Sequence, residues 1–116
     1  MGPEHRLAVY GTLAPGEVNH DQLADIAGRW FDGAVRGHLH AEGWGATLGF
    51  PAVVLDTEGP EVRVRVFESS DLPDHWERLD RFEGPGYRRI EIEMWDESSA
   101  SLGTAWIYQA LNPDPI

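Results

Sequence analysis

Thirteen glycines and eight prolines are spread through 116 residues, so few stretches are long enough for a helix of several turns. Glycine costs roughly 1 kcal/mol and proline about 3 kcal/mol in a helix interior. Both punctuate strands and turns instead. Residues 6–10, RLAVY, form a short apolar run stopped by Gly11. Residues 34–40 and 51–56 read as strands on either side of a glycine-rich loop. Residues 62–67 alternate, with Val62, Val64 and Val66 on one face and Arg63 and Arg65 on the other, as in a half-buried strand. Residues 87–95 place Ile90, Ile92 and Met94 on one face. Residues 103–111 carry Trp106 and Tyr108 on one side, Ala105 and Ile107 on the other.

Two segments have helical spacing. In residues 19–27, Leu23, Ile26 and Ala27 line up, with Asn19 or Asp21 as a possible N-cap and Gly28 as the stop. A second helix is expected from a cap at Ser70 or Asp71 to about Phe82, with a stripe of Leu72, His75 or Trp76, Leu79, and then Phe82 or Glu83. The order β-α-β-β-β-α-β-β, mostly joined by short turns, predicts one α+β domain over residues 1–116. Its sheet is expected to be mixed or largely antiparallel and to curl toward a barrel, with two flanking helices.

Nine basic against twenty acidic residues leave a formal charge of −11. Phosphate-backbone binding needs clustered Lys and Arg. The densest basic patch, Arg78, Arg81, Arg88 and Arg89, is interleaved with Asp80, Glu83, Glu91 and Glu93, so nucleic acid is not an expected partner. The absence of cysteine removes disulfides, thiolate nucleophiles and Cys-ligated zinc. No stretch approaches the roughly 18 apolar residues of a membrane span, and the N-terminus lacks a basic segment leading into an apolar one. A soluble, cytoplasmic protein without a membrane partner is the expectation.

Three segments carry candidate chemistry. Glu83 sits on the last turn of the second helix, where the macrodipole favours Lys, Arg or His instead. One turn beyond Leu79 and Trp76, its carboxyl can face the interior, where burial raises its pKa and suits it to proton transfer. A surface Glu paired with Arg81, Arg88 or Arg89 is the plainer alternative. The run Val9-Tyr10-Gly11-Thr12-Leu13-Ala14-Pro15-Gly16 suggests a tight loop whose N–H groups form an anion-binding concavity, or simply a strand exit. His38, His40 and Glu42 share one strand face at a period of two, either a metal set of the cupin type or a polar strand face. The tyrosines at 10, 87 and 108 each lie at a strand end or near a glycine, where a hydroxyl can point into a cavity. The five tryptophans fit core and rim packing.

Taken together, Val9-Tyr10-Gly11-Thr12-Leu13, Gly16 and Asn19-His20, Gly49-Phe50-Pro51-Ala52-Val53, Leu79-Asp80-Arg81-Phe82-Glu83-Gly84 with Tyr87-Arg88-Arg89, and Ala105-Trp106-Ile107-Tyr108 resemble the gamma-glutamylcyclotransferase-like proteins. That group includes gamma-glutamylamine cyclotransferases and the plant avirulence-induced type. The resemblance implies a small mixed, mostly antiparallel β-barrel with flanking helices. It implies Glu83 as general acid/base, a substrate loop at Tyr10, Gly11, Thr12 and Leu13, and Tyr87 and Tyr108 as pocket neighbours. The implied reaction turns a small gamma-glutamyl compound into 5-oxoproline and a free amine or amino acid, with no cofactor, metal or nucleotide. A non-catalytic binding module of the same fold is one alternative, and a metal-binding cupin-like barrel using His38, His40 and Glu42 is another. The sequence departs from the family in residues 40–48, which are longer and richer in glycine than expected, with His40 where a tyrosine is frequent.

Overall fold

The computed structural model describes residues 2–11, 20–40, 52–84 and 86–110. The elements follow the expected order: β1 (Arg6–Val9), α1 (Asp21–Ala24), β2 (Arg29–His40), β3 (Ala52–Leu55), β4 (Glu61–Glu68), α2 (Trp76–Glu83), β5 (Tyr87–Trp95) and β6 (Ser101–Ala110). The strands are ordered β3-β2-β4-β1-β6-β5, and a further β2–β5 pairing at Ala34 and Trp95 closes five of them into a barrel. Strand β3 extends the sheet outward from β2, with Gly37 opposite Leu55 and His40 opposite Ala52. The β1–β6 pairing is parallel, joining Leu7 to Trp106 and Ala8 to Ile107, and the other pairings are antiparallel. The fold is therefore a small mixed, mostly antiparallel barrel with two helices. A register shift between Met94 and Trp95 bulges β5 beside the closing pair. Such bulges bend a strand.

Alternation along the strands separates two cores. Ala8, Val35, Val53, Val62, Val64, Val66, Met94, Ala105 and Ile107 form one cluster, drawn from all six strands. Leu7, Val9, Phe67 and Tyr108 turn the other way and pack with Leu23, Ile26, Leu72, Trp76 and Leu79, under the helices. Burying a side chain of this size stabilises the fold by about 1.5–3 kcal/mol. The alternation read in residues 103–111 thus serves two buried layers, while in residues 62–67 Arg63 and Arg65 face outward.

Three boundaries differ from the sequence reading. Strand β2 begins at Arg29 rather than Ala34. Gly33 looks like a break, yet it is a buried strand position whose Cα side faces Val66 and Leu102. Asp32 points outward to Arg65 at 2.8 Å. Helix α1 is a single turn, although Leu23 and Ile26 are buried as expected. Its N-cap position is His20, with no side-chain cap bond, and Asn19 lies outside the described residues. The second helix starts at Trp76, after a 3-10 turn at Leu72–Asp74. Pro73 lacks an N–H and fits only such an entry. Asp71 makes no side-chain cap, and its N–H donates to the hydroxyl of Ser69 at 3.1 Å.

Candidate functional site

Helix α2 is fixed at three points before it reaches its last turn. Trp76 and Leu79 are buried, and the Trp76 indole donates to the carbonyl of Glu4 at 2.9 Å. Arg78 donates to the Gln22 side chain at 3.0 Å and to its carbonyl at 2.9 Å. The stripe of Trp76 and Leu79 then continues to Glu83. Phe82, the other reading of that position, is 38% exposed. Burial of the Glu83 carboxyl lifts its pKa to about 7.

Gly84 ends the helix with φ +78° and ψ −171°, a region that side chains other than glycine rarely enter. Its N–H donates to the backbone carbonyl of Asp80 at 3.1 Å, and the Tyr87 N–H donates back to the carbonyl of Gly84 at 3.3 Å. The turn thus delivers Tyr87 next to Glu83. Burial raises the Tyr87 phenol to about 12, and the Glu83 charge adds to this. The Tyr10 hydroxyl donates to the carbonyl of Tyr108 at 2.5 Å. It also accepts the N–H of Val53, while burial holds the phenol above the usual tyrosine range. Tyr108 donates its own hydroxyl to Asp80 Oδ1 at 2.7 Å. Burial raises its pKa, and the hydrogen bond to Asp80 and that carboxylate's charge reinforce the shift. Each of these three neutral phenols feels the charge of the half-buried Glu83 carboxyl.

Two of the three arginines that flank Glu83 in sequence are engaged elsewhere. Arg81 reaches Glu77 at 3.5 Å. Arg89 grips Asp80 with two donors, Nε to Oδ1 at 2.8 Å and Nη2 to Oδ2 at 3.1 Å. Its guanidinium lies 4.5 Å from the Trp76 ring centroid and 4.8 Å from that of Trp106. Arg88 is exposed. Pairing of Glu83 with Arg81 or Arg89 is thus not what the fold builds.

The structure brings Tyr10, Gly11, Glu83, Tyr87 and Tyr108 into view, while Thr12, Leu13 and Glu42 lie outside the described residues. His38 hydrogen-bonds through Nε2 to Asp56 Oδ2 at 2.9 Å. Among the described residues, no three His, Asp or Glu side chains converge as a metal site. No helix there is long and apolar enough to cross a membrane. A separate cleft of about 290 Å³ is lined by residues that include Asp32, Glu61, Arg63, Trp95 and Asp96. Three of its four acids are already engaged: Asp32 with Arg65, Glu61 with Arg63, and Asp96 with turn N–H groups.

Sequence reasoning gave Asp80 no role and weighed Arg89 only as a partner of Glu83. The available signal was spacing, since Asp80 lies one helical turn before Glu83 on the same side.

A family model described as gamma-glutamyl cyclotransferase, AIG2-like, matches residues 7–115. The chain belongs to that family. Several solved structures share the fold of this AIG2-like chain. YkqA from Bacillus subtilis is 30% identical with a TM-score of 0.68, over 91% of this chain and 35% of its own. The chain therefore spans about a third of that relative's length. An AIG2-like protein of Mus musculus is 22% identical with a TM-score of 0.73, over 96% of this chain and 80% of its own. A gamma-glutamyl cyclotransferase structure, 16% identical, gives a TM-score of 0.65 over 93% of this chain and 67% of its own. The last two show the likeness of fold alone. No curated protein matches the chain by sequence.

Proposed function

We propose that the chain is a gamma-glutamyl cyclotransferase acting on a small gamma-glutamyl amine or amino acid, with Glu83 as its general acid/base. The observation that supports this most is the state of Glu83: a half-buried carboxyl at the end of α2 with a pKa of about 7, whose charge three tyrosines feel. A general base works best when its pKa lies near the working pH. Family membership supports the same reaction class.

The reaction joins two groups of one molecule. Ionised Glu83 takes a proton from the substrate's α-ammonium, and the freed amine attacks the γ-carbonyl carbon. A new C–N bond closes the five-membered ring. The bond to the leaving nitrogen then breaks as Glu83 returns that proton to it. The second proton, which the ring nitrogen sheds to become the lactam N–H, also passes to the departing amine, releasing 5-oxoproline and an ammonium. Atoms and protons balance without water. Because both reactants sit in one molecule, holding it in the near-attack conformer supplies much of the rate. In this reading Tyr10, Gly11, Thr12 and Leu13 line the substrate loop, and Tyr87 and Tyr108 wall the pocket.

A panel of gamma-glutamyl compounds assayed for 5-oxoproline tests the proposal. Glu83→Gln is expected to lower turnover by about 10²–10⁴-fold. In the wild type, kcat/KM is expected to rise with pH to a plateau, with its midpoint near 7. Near-normal 5-oxoproline release by Glu83→Gln removes Glu83 from the reaction. Ligand binding by the wild type without any 5-oxoproline identifies a binding module of the same fold.

A further inference from the structure

Helix α2 carries two carboxylates one turn apart, Asp80 and Glu83, and the fold treats them oppositely. Asp80 takes both donors of Arg89, at 2.8 and 3.1 Å, and the Tyr108 hydroxyl at 2.7 Å. Residues three apart on a helix have Cβ atoms only about 5–6 Å from each other. The guanidinium is therefore bound to a carboxylate one helical turn from Glu83. The two indole rings of Trp76 and Trp106 keep it there.

We propose that Asp80 is a positioning residue, which occupies both donors of Arg89 and so keeps that guanidinium off Glu83. The inference rests on the reading of Glu83 as the proton-transfer group. An arginine within about 4–6 Å of a carboxylate lowers its pKa by roughly 1–3 units, enough to leave Glu83 a poor proton acceptor at neutral pH. The groups around Glu83 come from four elements. Tyr10 follows β1, Tyr87 and Arg89 lie on β5, Tyr108 lies on β6, and Asp80 is on α2 itself. The three phenols are neutral, and the two full charges cancel within their own bidentate pair. Burial therefore acts on Glu83 without an arginine opposing it. Asp80 itself behaves in the opposite way. Burial pushes its pKa upward, but the hydrogen bonds from Arg89 and Tyr108 prevail and hold the carboxyl below its usual range.

The test titrates the Glu83 side chain directly, by carboxyl carbon NMR, in the wild type, Asp80→Asn, Arg89→Gln and the double variant. Asp80→Asn is expected to move the Glu83 midpoint down by about one unit or more, because a counter-charge is lost and the guanidinium turns to the remaining carboxylate. Arg89→Gln is expected to move it up, since Asp80 then faces Glu83 uncompensated. The double variant is expected to return close to the wild type. The acid limb of kcat/KM for 5-oxoproline release should move in the same order. A clamp that only supports the fold would weaken stability in all three variants and leave the Glu83 midpoint in place, and that result overturns the proposal. Should Asp80→Asn fail to fold, the upward shift in Arg89→Gln decides, and its absence is equally fatal. The two readings fail separately: an active Glu83→Gln overturns the catalytic role, while the NMR midpoints test the capture of Arg89 with no turnover at all.

Discussion

The Tyr10 hydroxyl and the Tyr108 carbonyl meet at 2.5 Å, joining the exit of the first strand to the far end of the last. Because Tyr108 also donates to Asp80, one residue links the strand exit to the helix that carries Glu83. The N–H of Val53 on β3 completes the junction at Tyr10. Three strands and a helix thus converge on two phenols.

Tyr10→Phe leaves the Tyr108 carbonyl and the Val53 N–H without that hydroxyl. Unpaired polar groups in a buried setting cost about 1–3 kcal/mol. A loss of that size is expected in urea denaturation at neutral pH, with an unchanged m-value. A Tyr10→Phe protein as stable as the wild type would show that the junction is not holding the fold.

Glu83 predicts a stability that falls with rising pH. Its folded-state pKa, about 7, lies above the 4.5 of an ordinary glutamate. The folded protein therefore binds this proton more tightly than the unfolded chain. Its contribution is fully present below about 4.5 and is lost as pH rises through 7. Glu83→Gln is expected to be more stable than the wild type at pH 8, by on the order of 2 kcal/mol, and the difference should shrink several-fold at pH 5. Paired thermal melts at the two pH values check this. An equal difference at both values contradicts the burial of Glu83.

Gly84→Ala isolates the backbone from packing. A Cβ at Gly84 meets nothing within 4 Å, so the added methyl group has space. The φ of +78° is the obstacle, and forcing an alanine there costs about 1–3 kcal/mol. The expected outcome is a loss of that size together with reduced turnover, because the last turn of α2 shifts to relieve the strain. Denaturation and the 5-oxoproline assay read the two effects separately. Unchanged values in both would mean that the turn adapts without cost.

The order of elements was legible in the sequence because glycine and proline stand at nearly every boundary. The alternation of Val62, Val64 and Val66 and the face of Ile90, Ile92 and Met94 identified strands that the fold confirms. The start of β2 was not legible. Gly33 and Asp32 look like a turn locally, and only pairing with Val64 and Arg65 of β4 makes them strand. Spacing left the inner line of α2 undecided between Phe82 and Glu83, since both lie one turn beyond Leu79 or nearly so. The exit angle at Gly84 and the packing of Trp76 and Leu79 decide it for Glu83. Arg89 was visible only as a threat to Glu83. That it is captured by Asp80 depends on the register of β5 against the helix, a long-range property that no local pattern encodes.

The parallel pairing of β1 with β6 sets the timetable of folding. Leu7 must wait for Trp106, and Ala8 for Ile107, before the ring can close. Contacts so distant along the chain are slow to form, because the entropy of closing the loop is lost before the contact rewards it. On a ribosome, β1 emerges first and stays unmatched on one edge until the last strand appears. Tyr10 and Asp80 both bond to Tyr108 of that strand. The candidate site is therefore completed in the closing event of folding, and a chain stalled before Tyr108 lacks the residue that ties Tyr10 to Asp80.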